Sequence, residues 1–237
     1  MDNSKIGHHI SGQFNKELED VRNKVLTMGG VVEHQIKLAV LAFTTGDLEM
    51  AEIAIKLASE VDQLEVDIDK ECMQILAMRR PAAFDLRMLI AVIKIIDELE
   101  GIGDLAERIA KITIQLTNPK SGKHDQYFEL EHMAQLVHGM LHDALDIFAR
   151  MDLADIASIT SLDKNVDREY SSVLRQLSLK MMESPNNVHR MLDVISLARA
   201  LERIGDLACN LCEHLVYMFK GEDVRHLTQA ELERKLN

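Results

Sequence analysis

Leu99-Glu100-Gly101-Ile102-Gly103-Asp104-Leu105-Ala106 returns 102 residues later as Leu201-Glu202-Arg203-Ile204-Gly205-Asp206-Leu207-Ala208. Neither copy contains a proline, and its carboxylates stand four residues apart. On a helix that spacing puts both on one face, one turn apart. Upstream, Asp47-Leu48 recurs as Asp152-Leu153 and Val61-Asp62 as Val166-Asp167, each 105 residues later. Duplication of one helical unit accounts for all three recurrences.

The three prolines punctuate the chain outside these motifs. Pro81 follows Arg79-Arg80, Pro119 follows Thr117-Asn118, and Pro185 follows Glu183-Ser184. Proline breaks a helix interior but suits its first turn. The runs between the prolines carry helical periodicity and predict six long helices, over 10–45, 48–79, 82–117, 125–150, 153–182 and 186–220. A short polar helix is predicted over 227–235. Asp47 and Asp152 are candidate N-caps, since a short carboxylate accepts the free N–H groups of a first turn. Asn118-Pro119-Lys120-Ser121-Gly122-Lys123 reads as the linker. The expected fold is all-α: two tandem, pseudo-symmetric three-helix bundles, over residues 1–118 and 124–237. Helices of about 35 residues would be roughly 50 Å long.

Composition agrees. With 11 glycines and 3 prolines in 237 residues, the chain lacks the turns of a sandwich or barrel. Thirteen methionines, no tryptophan and 4% aromatics suit aliphatic helices. The net charge of −12 argues against nucleic acid and against unaided adhesion to an anionic membrane. The longest apolar run, Met88 to Ile96, is too short to span a bilayer and contains Lys94. The N-terminal residues show no apolar core of a signal peptide. Three cysteines, Cys72, Cys209 and Cys212, make a poor disulfide framework and point to a reducing cytoplasm.

The duplicated motif keeps two local penalties. Like charges at i and i+4 cost a few tenths of a kcal/mol. A mid-helix glycine, Gly103 or Gly205, costs about 1 kcal/mol relative to alanine. Close helix approach would explain the glycines, and a shared cation the carboxylates. In the first half Asp97, Glu100, Asp104 and Glu107 form a stripe about 80° wide. The second half has Arg199, Glu202, Asp206 and Cys209 there, a stripe half as acidic. A plain solvated acidic face is the competing reading, and recurrence brings the two near parity. Oxygen ligands select Mg²⁺, Ca²⁺, Mn²⁺ or iron in a carboxylate-bridged cluster. One helix cannot complete a shell, so Asp62, Glu65 and Asp69 on the second helix, and Asp167 in the second half, are the further candidate ligands.

Weaker signals point to structure rather than chemistry. Glu129-x-x-His132 has di-iron spacing but occurs once, where such sites need two copies. Cys209 and Cys212 lack a second pair for zinc. Arg79, Arg80 and Arg87 flank Pro81 and could meet an anion, but capping and a salt bridge to Asp85 are the simpler reading. His138 and His142 are read as ordinary helix residues. No nucleophile–base pair, phosphate loop or dinucleotide fingerprint is visible.

With Leu-Glu-Arg-Ile-Gly-Asp complete at Leu201 to Asp206, and present at Leu99 to Asp104 with Gly101 for arginine, the chain resembles the PhoU family. Arg80-Pro81-Ala82-Ala83-Phe84-Asp85-Leu86-Arg87 is similar to that family's Pro-x-x-x-Asp-Leu-Arg segment. Met28-Gly29, Val32-Glu33 and Val61-Asp62-Gln63-Leu64-Glu65 also look like family positions. The resemblance implies a cytoplasmic, non-enzymatic, all-helical protein, often a homodimer, that negatively regulates phosphate uptake and the phosphate-starvation response. The partners it implies are the ATPase of the phosphate ABC transporter and the phosphate-sensing histidine kinase, with membrane contact only through them. It also implies multinuclear metal, iron included, on faces built from Glu100, Asp104, Glu202 and Asp206; with Asp97 of the stripe and Asp62 and Asp167 from the neighbouring helices, the expected site could take iron, zinc, manganese, magnesium or calcium. Two departures bear on equal metal binding in the two halves: Gly101 replaces arginine, and Asn187-Val188-His189 stands where the first half has Asp85-Leu86-Arg87. The expected role is an adaptor reporting transporter state to the kinase. The alternatives are a carboxylate-bridged metal-cluster enzyme or store, and a helical scaffold without an ion.

Overall fold

The structure is a computed structural model and describes residues 12–117, 128–153, 156–227 and 229–236. Six long helices carry it: α1 (Gly12–Thr45), α2 (Leu48–Arg79), α3 (Ala83–Leu116), α4 (Phe128–Arg150), α5 (Ile156–Glu183) and α6 (Val188–Lys220). A short α7 follows (Gln229–Leu236), and a 3₁₀ turn at Pro185–Asn187 leads into α6. No strand occurs among the described residues. The chain is all-α, as its proline spacing predicts. The linker over residues 118–123 lies outside the described residues.

Turn chemistry follows the sequence at one junction and departs at another. Asp47 caps α2, its Oδ1 accepting the N–H groups of Glu49 at 2.9 Å and Met50 at 3.3 Å. Asp152 does not cap α5. It stands four residues before Ile156 and donates its N–H to Ile147 O at 3.4 Å. Met151, with φ of 56°, turns the chain out of α4, and α5 begins only at Ile156. After α2, Arg80 takes a left-handed φ of 51° at the C-cap, a position usually given to glycine. Pro81 then prevents the helix from continuing.

Helices α1, α2 and α3 pack on one another, as do α4, α5 and α6. The two triplets join through α3 against α6 and α1 against α4. Both joints are antiparallel. Along the first, Arg87 Nε donates to Met218 O, Glu98 accepts from Asn210 Nδ2, Gly101 faces Leu207, and Arg190 Nη1 donates to Leu116 O. As one partner advances, the other retreats, so the axis of pseudo-symmetry passes near Gly103 and Gly205. One continuous core runs through all six helices, including Leu18, Met28, Ile68, Leu99, Phe148 and Leu215. An apolar window in α1 is long and apolar enough, by composition, to cross a membrane. Its Val25, Met28, Val32 and Ile36 are instead buried in this core.

The two motif glycines differ. A Cβ on Gly103 would lie 3.2 Å from both Gln35 Oε1 and Val61 Cγ1. Gln35 is fully buried and tied to Ala54 O through its Nε2 at 3.0 Å, so it cannot yield freely. A Cβ on Gly205 would meet Asp163, Val137 and Val166 at 3.5–3.6 Å, ordinary contact distance. Close approach therefore explains Gly103 and not Gly205. Gly205→Ala should stabilise the fold by up to about 1 kcal/mol through helix propensity. Gly103→Ala should gain nothing or lose stability. Urea unfolding midpoints would check both, and equal shifts would contradict the difference in packing.

Candidate metal centre on the acidic faces

In the first half the motif face of α3 looks onto α2. Glu100 and Asp104 come from α3 and Asp62 from α2, and one carboxylate oxygen of each lies within 4.8 Å of the other two. Glu100 is half-buried, while Asp62 and Asp104 are exposed. Burial raises the Glu100 carboxyl, and Asp104, Glu65, Asp62 and Asp97 raise it further. Glu65 rises for the same reasons, desolvation first and then Asp97, Asp62, Asp69 and Asp104. The predicted residues of this half are thus brought together, with Asp97, Glu65 and Asp69 around the central three.

Three convergent carboxylates, with Glu100 raised by burial and by the charges around it, form a site of unspent negative charge. Such a donor set fits a hard or borderline cation held by oxygen. A bound cation would neutralise the crowding and offer open coordination positions to an oxygen ligand. Asp62, Glu100 and Asp104 would hold it, and the outer carboxylates would tune its field. Beside them, a cleft of about 410 Å³ between α3 and α6 is lined by Glu100, Asp104 and Arg108 of α3 and by Arg203 of α6.

The second half is built differently. Asp167, Glu202 and Asp206 share a face, and burial followed by their mutual repulsion raises Glu202 and Asp206. Among the described residues, however, no three of these oxygens converge as the first set does. Sequence reading missed Asp163, whose carboxyl is pushed up to about 6, by burial first and then by Asp167 and Asp206. The signal was available: Asp163 precedes Asp167 by one helical turn. Where the first half sets Asp97 near Glu65, this half sets Arg199, whose Nε donates to Tyr170 Oη at 3.4 Å. A cation–phenol pair replaces a carboxylate pair, so this face carries less charge.

Asp163 makes the charge testable. Its folded pKa lies above the ordinary aspartate value of 3.8, so its proton stabilises the folded state. The penalty of its charge is present above about pH 6 and vanishes as pH falls toward 4. Asp163→Asn in chelator should stabilise the protein by about 1 kcal/mol at pH 8, after discounting for solvent screening. At pH 4 the difference should vanish. Paired urea melts would check it, and a gain independent of pH would point to packing instead.

The weaker motifs resolve as structure. Glu129 accepts from Gln176 Nε2 at 2.9 Å, and His132 Nδ1 pairs with Glu169 Oε1 at 3.1 Å, so each is tied separately to α5. The three thiols are free, and burial pushes Cys72 and Cys212 up to about 12. Arg79 grips Glu17 through two hydrogen bonds, 2.8 and 2.6 Å, and Arg87 reaches the α6 backbone; both serve packing between helices.

A PhoU-domain model matches residues 25–113 and again 130–215, the repeat seen in the motifs. The chain belongs to the PhoU family. The phosphate-specific transport system accessory protein PhoU of Serratia marcescens is 44% identical over 237 residues, spanning 100% of this chain and 96% of that protein. The PhoU protein of Escherichia coli K12 is 41% identical, spanning 100% and 97%. The crystal structure of PhoU from Pseudomonas aeruginosa superposes with a TM-score of 0.84 at 44% identity, covering 89% of this chain and 100% of that one. The crystal structure of the phosphate transport system regulatory protein PhoU from Streptococcus pneumoniae gives 0.81 at 29% identity, over 90% and 99%. The PhoU fold thus places both Glu-x-x-x-Asp motifs, Glu100/Asp104 and Glu202/Asp206, on facing-helix surfaces rather than in the core.

Proposed function

We propose that this chain is a cytoplasmic accessory protein of a phosphate-specific transport system that restrains phosphate uptake and the phosphate-starvation response. It acts as an adaptor, as a homodimer, between the transporter's ATPase and a phosphate-sensing histidine kinase. Its acidic faces meet basic surface on those partners, directly or through bound cations. The observation that carries this reading is similarity to named phosphate-transport accessory proteins across 100% of this chain and 96% of the relative from Serratia marcescens, with both acidic motifs present here. Opposite charge across such an interface chiefly sets encounter rate and register.

The test is genetic. Deletion of the gene should make alkaline phosphatase activity constitutively high in phosphate-rich medium, and the wild-type copy should return it to low. A Glu100→Ala/Asp104→Ala copy with an intact helical spectrum should fail to restore repression. Unchanged activity after deletion would sink the regulatory reading. Full repression by the variant would remove the first acidic face from the mechanism.

The convergence of Asp62, Glu100 and Asp104 favours one second reading, a carboxylate-bridged metal protein with turnover or storage as its role. Metal analysis together with oxidase and phosphatase assays separates the two, since an adaptor turns nothing over.

A further inference from the structure

The seam between α1 and α4 is closed on one side of the pseudo-symmetry axis and open on the other. On the closed side, the two methyl carbons of Leu145 lie 2.6 and 2.7 Å from where a Cβ on Gly29 would be. The isobutyl group therefore seats against bare backbone of α1. One turn away, His142 Nδ1 meets Glu33 Oε1 at 2.8 Å. The repeat of 105 residues assigns each of these a mate: Ala134 for Gly29, Val40 for Leu145, Lys37 for His142 and His138 for Glu33. All four mates line one groove of about 360 Å³ between α1 and α4.

The substitutions explain the opening. Ala134 carries the Cβ that Gly29 lacks, and Val40 is a carbon shorter than Leu145. No side chain reaches across to plug the gap. The mate of the carboxylate is missing as well, because the groove is lined by Lys37 and His138 where the closed side pairs His142 with Glu33. Neither makes a hydrogen bond or ion pair with a described residue. The closed side thus displays what the open side lacks at the matching positions, a branched alkyl group reaching across the seam and a carboxylate beside the histidine.

We propose that this groove is a binding site for a small aliphatic carboxylate. The alkyl body lies along Ile36, Val40, Leu41 and Ala134, and the carboxylate sits between Lys37 and His138. Glu131 also lines the groove, seven residues from His138 and so roughly 10 Å along α4. Its charge repels the acid group and orients the ligand toward the basic end. The volume lies in the range of small-molecule sites, which are mainly apolar with a few placed polar groups. The site is separate from the acidic faces and does not depend on the function proposed above.

The probe is sodium octanoate, titrated into the full chain and followed by amide NMR. Saturable shifts confined to α1 and α4 are expected, with Kd on the order of 0.1–1 mM for a ligand of that size. Lys37→Gln should weaken binding by about tenfold, the loss of one charge-assisted contact. Ala134→Leu, which supplies the missing isobutyl group from α4, should abolish binding and raise Tm. Octylamine and octanol should each bind at least about tenfold more weakly than octanoate. Absence of saturation at about 10 mM would overturn the proposal. So would equal binding of octanol, which would mark a purely apolar groove, or undiminished binding by Lys37→Gln. Lys37 is exposed, so that variant keeps the test open should Ala134→Leu not fold.

Discussion

Glu100→Gln/Asp104→Asn is expected to lose the response of the protein to added Mn²⁺ while unfolding at a higher temperature than the wild type in chelator. Both effects come from one cause. The wild-type site holds three carboxylate oxygens within 4.8 Å and raises the Glu100 carboxyl by burial and by like charge. Removing two charges relieves repulsion that costs a few tenths of a kcal/mol for an exposed i,i+4 pair, and more where burial weakens screening. A cation bound at a hundred times its Kd stabilises the fold by about 2.7 kcal/mol. For a chain of this length that is a Tm shift of roughly 5–10 °C. The variant should show almost none of it. Glu202→Gln/Asp206→Asn should lose far less, because its oxygens do not converge in the same way. Thermal melts in chelator and in excess Mn²⁺ would decide. A wild type indifferent to the ion would end the cation reading of the first face and leave direct contact with a basic partner. Equal losses in the two variants would contradict the asymmetry between the halves.

Leu145→Ala should be the most damaging single change at the seam between the triplets. Leu145 is 7% exposed, and its methyl groups fill the space left by Gly29. Truncation removes buried methyl groups and leaves a cavity that bare α1 backbone cannot close. Leu→Ala changes of this kind cost about 2–5 kcal/mol. The nearby His142–Glu33 pair does not compensate, since it is solvent-exposed on the histidine side and worth less than about 1 kcal/mol. The same pair raises the His142 pKa, chiefly through the hydrogen bond to Glu33. Its contribution is therefore present at low pH and lost as pH rises through the folded pKa. Urea unfolding should show a lower midpoint with an unchanged slope. A loss below about 1 kcal/mol would mean that α1 and α4 collapse onto each other and that the seam is plastic.

Much of the fold was legible before any coordinate. Pro81 and Pro185 mark helix boundaries because a residue without an N–H suits only the first turn. Asp47 was legible as a cap because the cap is local: its own side chain serves amides two and three residues on. Asp152 was misread for the opposite reason. It repeats the sequence of Asp47-Leu48, but Met151 takes a left-handed φ and α5 begins four residues after Asp152 rather than at the next one.

The candidate site was partly legible. Glu100 and Asp104 share a face by helical geometry alone, and Asp62 could be named as their neighbour from the repeat. Asp163 was not named, because the first half has Ala58 at the matching position. Arg199 was visible as a departure, but its tie to Tyr170 spans two helices and follows no spacing rule.

What the sequence determined by itself is what depends on neighbours along the chain: the helical repeat, the duplication, the Asp47 cap and the pairing of carboxylates on one turn. These follow from a backbone period that every residue shares. Tertiary structure alone decided that three carboxylates converge in the first half and not in the second. It alone closed the α1–α4 seam at Gly29 and left it open at Ala134. Those outcomes turn on the distance between helix axes, which one methyl group can set, and no periodicity along a single helix encodes the separation from its neighbour.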